Sequence, residues 1–170
     1  MAQLVFDAQA PALYLDIDGT LHAGSAVIDD AGDISLESGG KLFEFAPILI
    51  ELLAPYPHVQ IVLTTSWLKH VGREGILPFL PDGLRYRVVD DTLRVRTKLG
   101  EARDGTDRVS KILRHVWSRD VLTWLALDDR ALGVPIGYCQ HFVHLSSESG
   151  ISSPDARAQI ESWLHEIQAR

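Results

Sequence analysis

The sequence predicts an α/β fold built on a parallel sheet, and three observations lead there. Short apolar runs bounded by turn-forming residues alternate with segments of helical period, the pattern of repeated strand and helix units. Two of those runs, residues 13–15 and 121–127, end in paired acids, Asp16/Asp18 and Asp128/Asp129. A third, residues 59–63, ends in Thr64-Thr65-Ser66. In an open α/β sheet the carboxyl ends of the strands face the crevice where ligands bind, so parallel strands would bring these polar ends to one edge.

Taken in order, the chain begins with a lead-in that includes a short edge strand expected at residues 4–6. Leu13-Tyr14-Leu15 is the first core strand, and Asp16-Ile17-Asp18-Gly19-Thr20 is the loop it runs into. Residues 21–38 read as a β-hairpin, because Val27-Ile28 and Ile34-Ser35-Leu36 flank an acidic, glycine-containing turn. After Gly39-Gly40, Pro47 suits the first turn of a helix, which places that helix at residues 46–54 with Leu49, Leu52 and Leu53 inward. Pro55 and Pro57 stop it. The β-branched run that follows suits a central parallel strand. Residues 67–79 read as one helix or two helical pieces around Gly72 and Gly75, and residues 86–89 as a short strand. Residues 90–106 are polar and without period, a mobile loop near the site. From Asp107 the helical pattern returns, with Val109, Ile112, Leu113 and Val116 on one face and Thr106 as N-cap. Residues 121–129 and 141–145 are further strands. A last helix begins at Ser153-Pro154 and carries Ile160, Trp163, Leu164 and Ile167 as its apolar stripe.

The 170 residues fit one domain, residues 1–170, and suffice for a sizeable core. No apolar run has the length of a membrane span, and the N-terminus lacks the basic start and apolar core of a signal peptide; a cytoplasmic protein away from membranes is expected. Cys139 is the only cysteine and is expected to be a small buried hydrophobe. The net charge of −7 disfavours general nucleic-acid binding, which rests on clustered Lys and Arg; local basic patches remain around Arg85/Arg87 and Arg94/Arg96.

Two carboxylates one residue apart repel each other, so a buried Asp16/Asp18 pair calls for a cation or a shared proton. Mg²⁺, a hard ion that prefers oxygen, fits, with one carboxylate and the other residue's carbonyl reaching the same ion. The remaining carboxylate is then free for proton transfer.

The stretch Leu13-Tyr14-Leu15-Asp16-Ile17-Asp18-Gly19-Thr20 resembles the first signature of the haloacid dehalogenase (HAD) superfamily, largely Mg²⁺-dependent phosphatases. Its other signatures have counterparts in family order: Thr65 at the end of the second strand, with Thr64 as the alternative in register; Arg108 or Lys111 near the start of a helix; and Asp128/Asp129. Arg108 is preferred because an apolar residue, Ile112, lies four positions later. The resemblance implies a Rossmann-like three-layer α/β/α sandwich with a β-hairpin flap over the site. The interval from Thr65 to Arg108 is short for an inserted cap domain, so the site is expected to be capless, and open sites of this kind take large substrates or are closed by a second copy of the chain. The opening, Thr65-Ser66-Trp67 and Ala126-Leu127-Asp128-Asp129 further resemble small capless HAD domains linked to RNA-repair proteins, although Leu68 stands where those have Arg.

The resemblance implies hydrolysis of a phosphate monoester through an aspartyl phosphate. Asp16 is then the nucleophile and Asp18 the acid and base. Asp16, Asp18, Asp128 and Asp129 hold Mg²⁺, and Gly19, Thr20, Thr65, Ser66, Arg108 and Lys111 contact phosphate. His22 is either a substrate contact on the flap or an exposed histidine without that role. Trp67 is expected to pack under the next helix, with stacking on a flat substrate as the alternative. A phosphorylation-receiver module or a noncatalytic scaffold would use similar residues without turnover.

Overall fold

The computed structural model describes residues 3–169. Strands β1 (Ala12–Leu15), β4 (Gln60–Leu63), β5 (Val88–Asp91), β6 (Trp124–Asp128) and β7 (Phe142–His144) form one sheet in the order β5-β4-β1-β6-β7. Every neighbouring pair in it is parallel. Between β1 and the first helix, β2 (Ala26–Ile28) and β3 (Ile34–Leu36) form the antiparallel hairpin that the acidic turn predicts. The helices are α1 (Ala46–Leu53), α2 (Leu68–Ile76), α3 (Asp82–Arg85), α4 (Leu99–Asp104), α5 (Asp107–Ser118) and α6 (Pro154–Gln168). Among the described residues no large cap covers the carboxyl edge of the sheet, and no helix is long and apolar enough to cross a membrane.

The period of two along each strand divides the core between the two faces of the sheet. Leu13, Leu15, Ile61, Leu63, Leu125 and Leu127 pack with Leu49 and Leu53 of α1 and Ile160 and Leu164 of α6. Ala12, Tyr14, Val62, Trp124 and Ala126 pack with Val109, Ile112, Leu113 and Val116 of α5. The result is three layers, helix on sheet on helix. Register then places the chemistry. Leu15 lies opposite both Leu63 and Leu127, so Asp16 leaves β1 beside Thr64 on one side and Asp128 on the other.

Several expectations are corrected by tertiary contacts. No strand forms at residues 4–6, although the Leu4 amide donates to the Tyr86 carbonyl at 2.9 Å. The strand expected at 86–89 is β5, shifted to Val88–Asp91. Arg87 joins no surface patch: it is buried, and its guanidinium donates to the Leu53, Tyr56 and Val59 carbonyls at 2.8 to 3.0 Å, satisfying backbone groups at the end of α1 and just past it. The segment expected as a loop at 90–106 contains α4, held because Arg114 of α5 grips Glu101 with two nitrogens. Neither Thr106 nor Ser153 makes a side-chain cap, although each precedes its helix as expected. Cys139 is exposed in a 3₁₀ turn at Ile136–His141 rather than buried.

Candidate active site

The site is assembled from loops that follow β1, β4 and β6 and from the first turn of α5. Asp16 is the first residue past β1 and is 1% exposed. Alternation along the strand turns it to the α5 side, where Arg108 donates to its Oδ2. The same guanidinium lies 3.2 Å from both oxygens of Asp128, which ends β6 fully buried. One oxygen each from Asp16, Asp128 and Asp129 lie within 4.8 Å of one another. Gly19 permits this approach. Its φ is +65°, and a β-carbon there would lie 2.6 Å from Asp129 Cγ.

Burial of so much negative charge dominates the electrostatics. Removal from water, then the repulsion of Asp128, pushes Asp16 up to about 8 despite Arg108. Burial raises Asp128 and Asp129 as well. For Arg108 burial opposes the charge, but the attraction of Asp16 and Asp128 outweighs it and holds the guanidinium protonated. Oδ1 of Asp16 and Oδ1 of Asp129 are buried without a hydrogen-bond partner among the described residues. Buried carboxylate oxygens without a partner, on residues that cluster this closely, are what a hard cation takes as ligands.

Asp18 stands apart from that cluster. Its Oδ1 accepts from His22 Nε2 at 3.0 Å, Trp67 Nε1 at 3.0 Å and the Ala26 amide of β2 at 3.2 Å. His22 is not an exposed flap residue, one of its two expected settings: it is fully buried between Asp18 and Phe43. Trp67 packs at the start of α2 and is only 6% exposed, with Phe43 and Phe79 against its ring. Packing is therefore its setting, together with the indole bond to Asp18. Asp18, Trp67 and flap residues Ala26, Val27 and Ile34 line a cleft of ≈ 150 Å³.

A second cavity, ≈ 260 Å³, lies on the α5 side and is lined by Thr64, Thr65, Ser66, Arg108, Lys111, Lys69 and Arg130. Thr65 Oγ1 accepts from the Trp67 amide at 3.3 Å, whereas Thr64 Oγ1 is buried without a partner among the described residues. Both candidates in register thus reach the cavity, Thr64 with the freer hydroxyl. Lys111 lies one turn along α5 from Arg108 and does not join Arg108 on the carboxylates. Burial, then the nearby Lys69, lowers its pKa. Thr20 is fully buried and is not part of this lining; its carbonyl accepts from the Ile151 amide at 3.1 Å. Lys69 and Arg130 were missed in the sequence. Their signal was position, since Lys69 follows Thr65-Ser66-Trp67 by two residues and Arg130 follows Asp129 directly.

Comparison with known families finds that the model described as HAD domain in Swiss Army Knife RNA repair proteins matches residues 12–156. No curated protein and no solved structure gives a significant match.

Proposed function

The chain belongs to the family of HAD domains in Swiss Army Knife RNA repair proteins, and from that premise we propose that it is a Mg²⁺-dependent phosphohydrolase acting on phosphate monoesters through an aspartyl phosphate. The carrying observation is the buried cluster of Asp16, Asp128 and Asp129 with Arg108 bridging two of its members. Fully ionised, three carboxylates face one guanidinium, an imbalance that a divalent cation matches. The partnerless buried oxygens of Asp16 and Asp129 are the donors such an ion takes. Asp16, Asp128 and Asp129, with the Asp18 carbonyl, would hold Mg²⁺, which when bound shields the phosphoryl charge from the carboxylates.

The chain's own residues supply the rest. Asp16 attacks phosphorus, the ester oxygen departs, and Asp18 gives that oxygen its proton. Asp18 then takes a proton from water, whose oxygen attacks the aspartyl phosphate, releasing inorganic phosphate and restoring Asp16. Arg108 orients Asp16 and offsets its charge. Thr64 or Thr65, Ser66 and Lys111, with Lys69 and Arg130 beside them, stabilise the equatorial oxygens. The family's RNA-repair description and the open, capless edge of the sheet favour a phosphorylated RNA or nucleotide end as substrate. The cations lining the cavity provide local attraction within a chain of net charge −7.

The test is phosphate release from an aryl phosphate with and without Mg²⁺, comparing the native chain with Asp16→Asn. Release abolished by the substitution and by chelator supports the proposal. Equal rates from both proteins, together with no Mg²⁺ binding by calorimetry, would leave a noncatalytic scaffold.

A further inference from the structure

Three separate segments place a hydrogen-bond donor on the same oxygen of Asp18: the loop after β1 through His22, the flap through the Ala26 amide, and the start of α2 through Trp67. An oxygen that accepts three donors has no room for a proton. Oδ2 takes no hydrogen bond from the described residues, and Asp18 lines the cleft beneath the flap. From this convergence, and resting on the phosphohydrolase reading, we infer that His22 and Trp67 are positioning residues that lock Asp18 through Oδ1, so that Oδ2 carries the proton to the leaving group.

Each donor is itself fixed. The Phe43 amide donates to His22 Nδ1 at 3.4 Å, so Nε2 carries the hydrogen that reaches Asp18. Phe43 does this at φ +58°, a left-handed conformation that is unfavourable for a residue with a β-carbon. Its ring also packs on both His22 and Trp67, with centroids 5.7 and 5.9 Å away. Burial of an indole or imidazole N–H requires an acceptor, but one neutral carbonyl would satisfy either. What that requirement leaves unexplained is the convergence of both rings on one oxygen of the acid. Held this way, the carboxyl rotates little and its free oxygen keeps one direction, as a proton donor in phosphoryl transfer requires.

A positioning role predicts a defect that depends on the leaving group. Nitrophenolate departs without help from an acid, whereas an alkoxide needs its proton. Trp67→Phe keeps the ring and removes the N–H. It should lower kcat/KM for alkyl phosphates, which reports formation of the aspartyl phosphate alone, about tenfold or more, a part of the roughly 10²- to 10⁴-fold effect of general acid catalysis, while kcat/KM for nitrophenyl phosphate falls much less. His22→Gln, which retains a donor near the place of Nε2, should keep more alkyl-phosphate activity than His22→Leu. An equal loss of kcat/KM on both substrates, or no loss, overturns the inference. The contact itself is read without substrate: Asp18→Ala should shift the Trp67 indole N–H resonance, and an unmoved resonance overturns the inference even if the histidine variants fail to fold. A native chain no faster than Asp16→Asn on every ester would remove the phosphohydrolase reading and this inference with it, while the indole resonance would still report separately on the contact.

Discussion

Gly19 shows how much of the site turns on one residue. Its positive φ and the closeness of Asp129 both exclude a side chain, and both act on the same carboxylate cluster. Gly19→Ala places a methyl group where Asp129 now stands, so Asp129 must swing away from Asp16 and Asp128. The expected outcome is weaker Mg²⁺ binding by calorimetry and a stability loss of about 1–2 kcal/mol from the left-handed alanine in chemical denaturation. The acids themselves were legible because each follows an apolar strand directly. His22 was not. Its burial depends on the turn at Phe43, 21 residues away, and on the Trp67 ring from another segment, neither of which leaves a trace in the local pattern.

Among the elements, α5 separates two basic residues that sequence spacing alone left in competition. Arg108 in its first turn reaches across to β1 and β6, whereas Lys111 borders the cavity one turn later. Removing Arg108 leaves two buried carboxylates without their counter-charge. Arg108→Ala is therefore expected to cost on the order of 3 kcal/mol in urea unfolding without metal, with part recovered on adding Mg²⁺. Lys111→Ala should change stability by about 0.5 kcal/mol or less. The same helix was readable because Val109, Ile112, Leu113 and Val116 repeat at helical spacing. Its neighbour α4 was not, since it buries no residue and is held through the Arg114 to Glu101 pair, a contact whose partner lies outside the six-residue helix. Strands buried on both faces were recognisable as apolar runs, while the two-residue shift of β5 followed from its pairing with β4 across a bulge.

At the scale of the whole molecule, the parallel sheet forces strands distant in sequence to end side by side. That gathers acids from residues 16, 128 and 129 at one buried point. The order of strand ends along the chain was readable from sequence. The neighbour relations β4-β1-β6 that make them one site come from crossovers that periodicity does not encode. Gathering the acids has a cost that depends on pH. Asp16 binds its proton more tightly in the folded chain, up to about 8, than its ordinary value of 3.8, and Asp128 and Asp129 move in the same direction. Over that interval the folded state holds protons that the unfolded state has lost, so stability falls as pH rises through it. Glu101 and Asp90, whose pKa values are lowered, lose their contribution only towards more acid conditions and do not cancel this trend above the ordinary carboxylate range. Melting temperature measured in chelator should therefore decline as pH rises from mildly acid to about 8. Mg²⁺ competes with those protons for the same oxygens, so saturating Mg²⁺ should flatten the profile and raise it most at the alkaline end. A melting temperature in chelator that holds steady or rises over that range would mean that the three carboxylates are not buried together in solution as the fold requires.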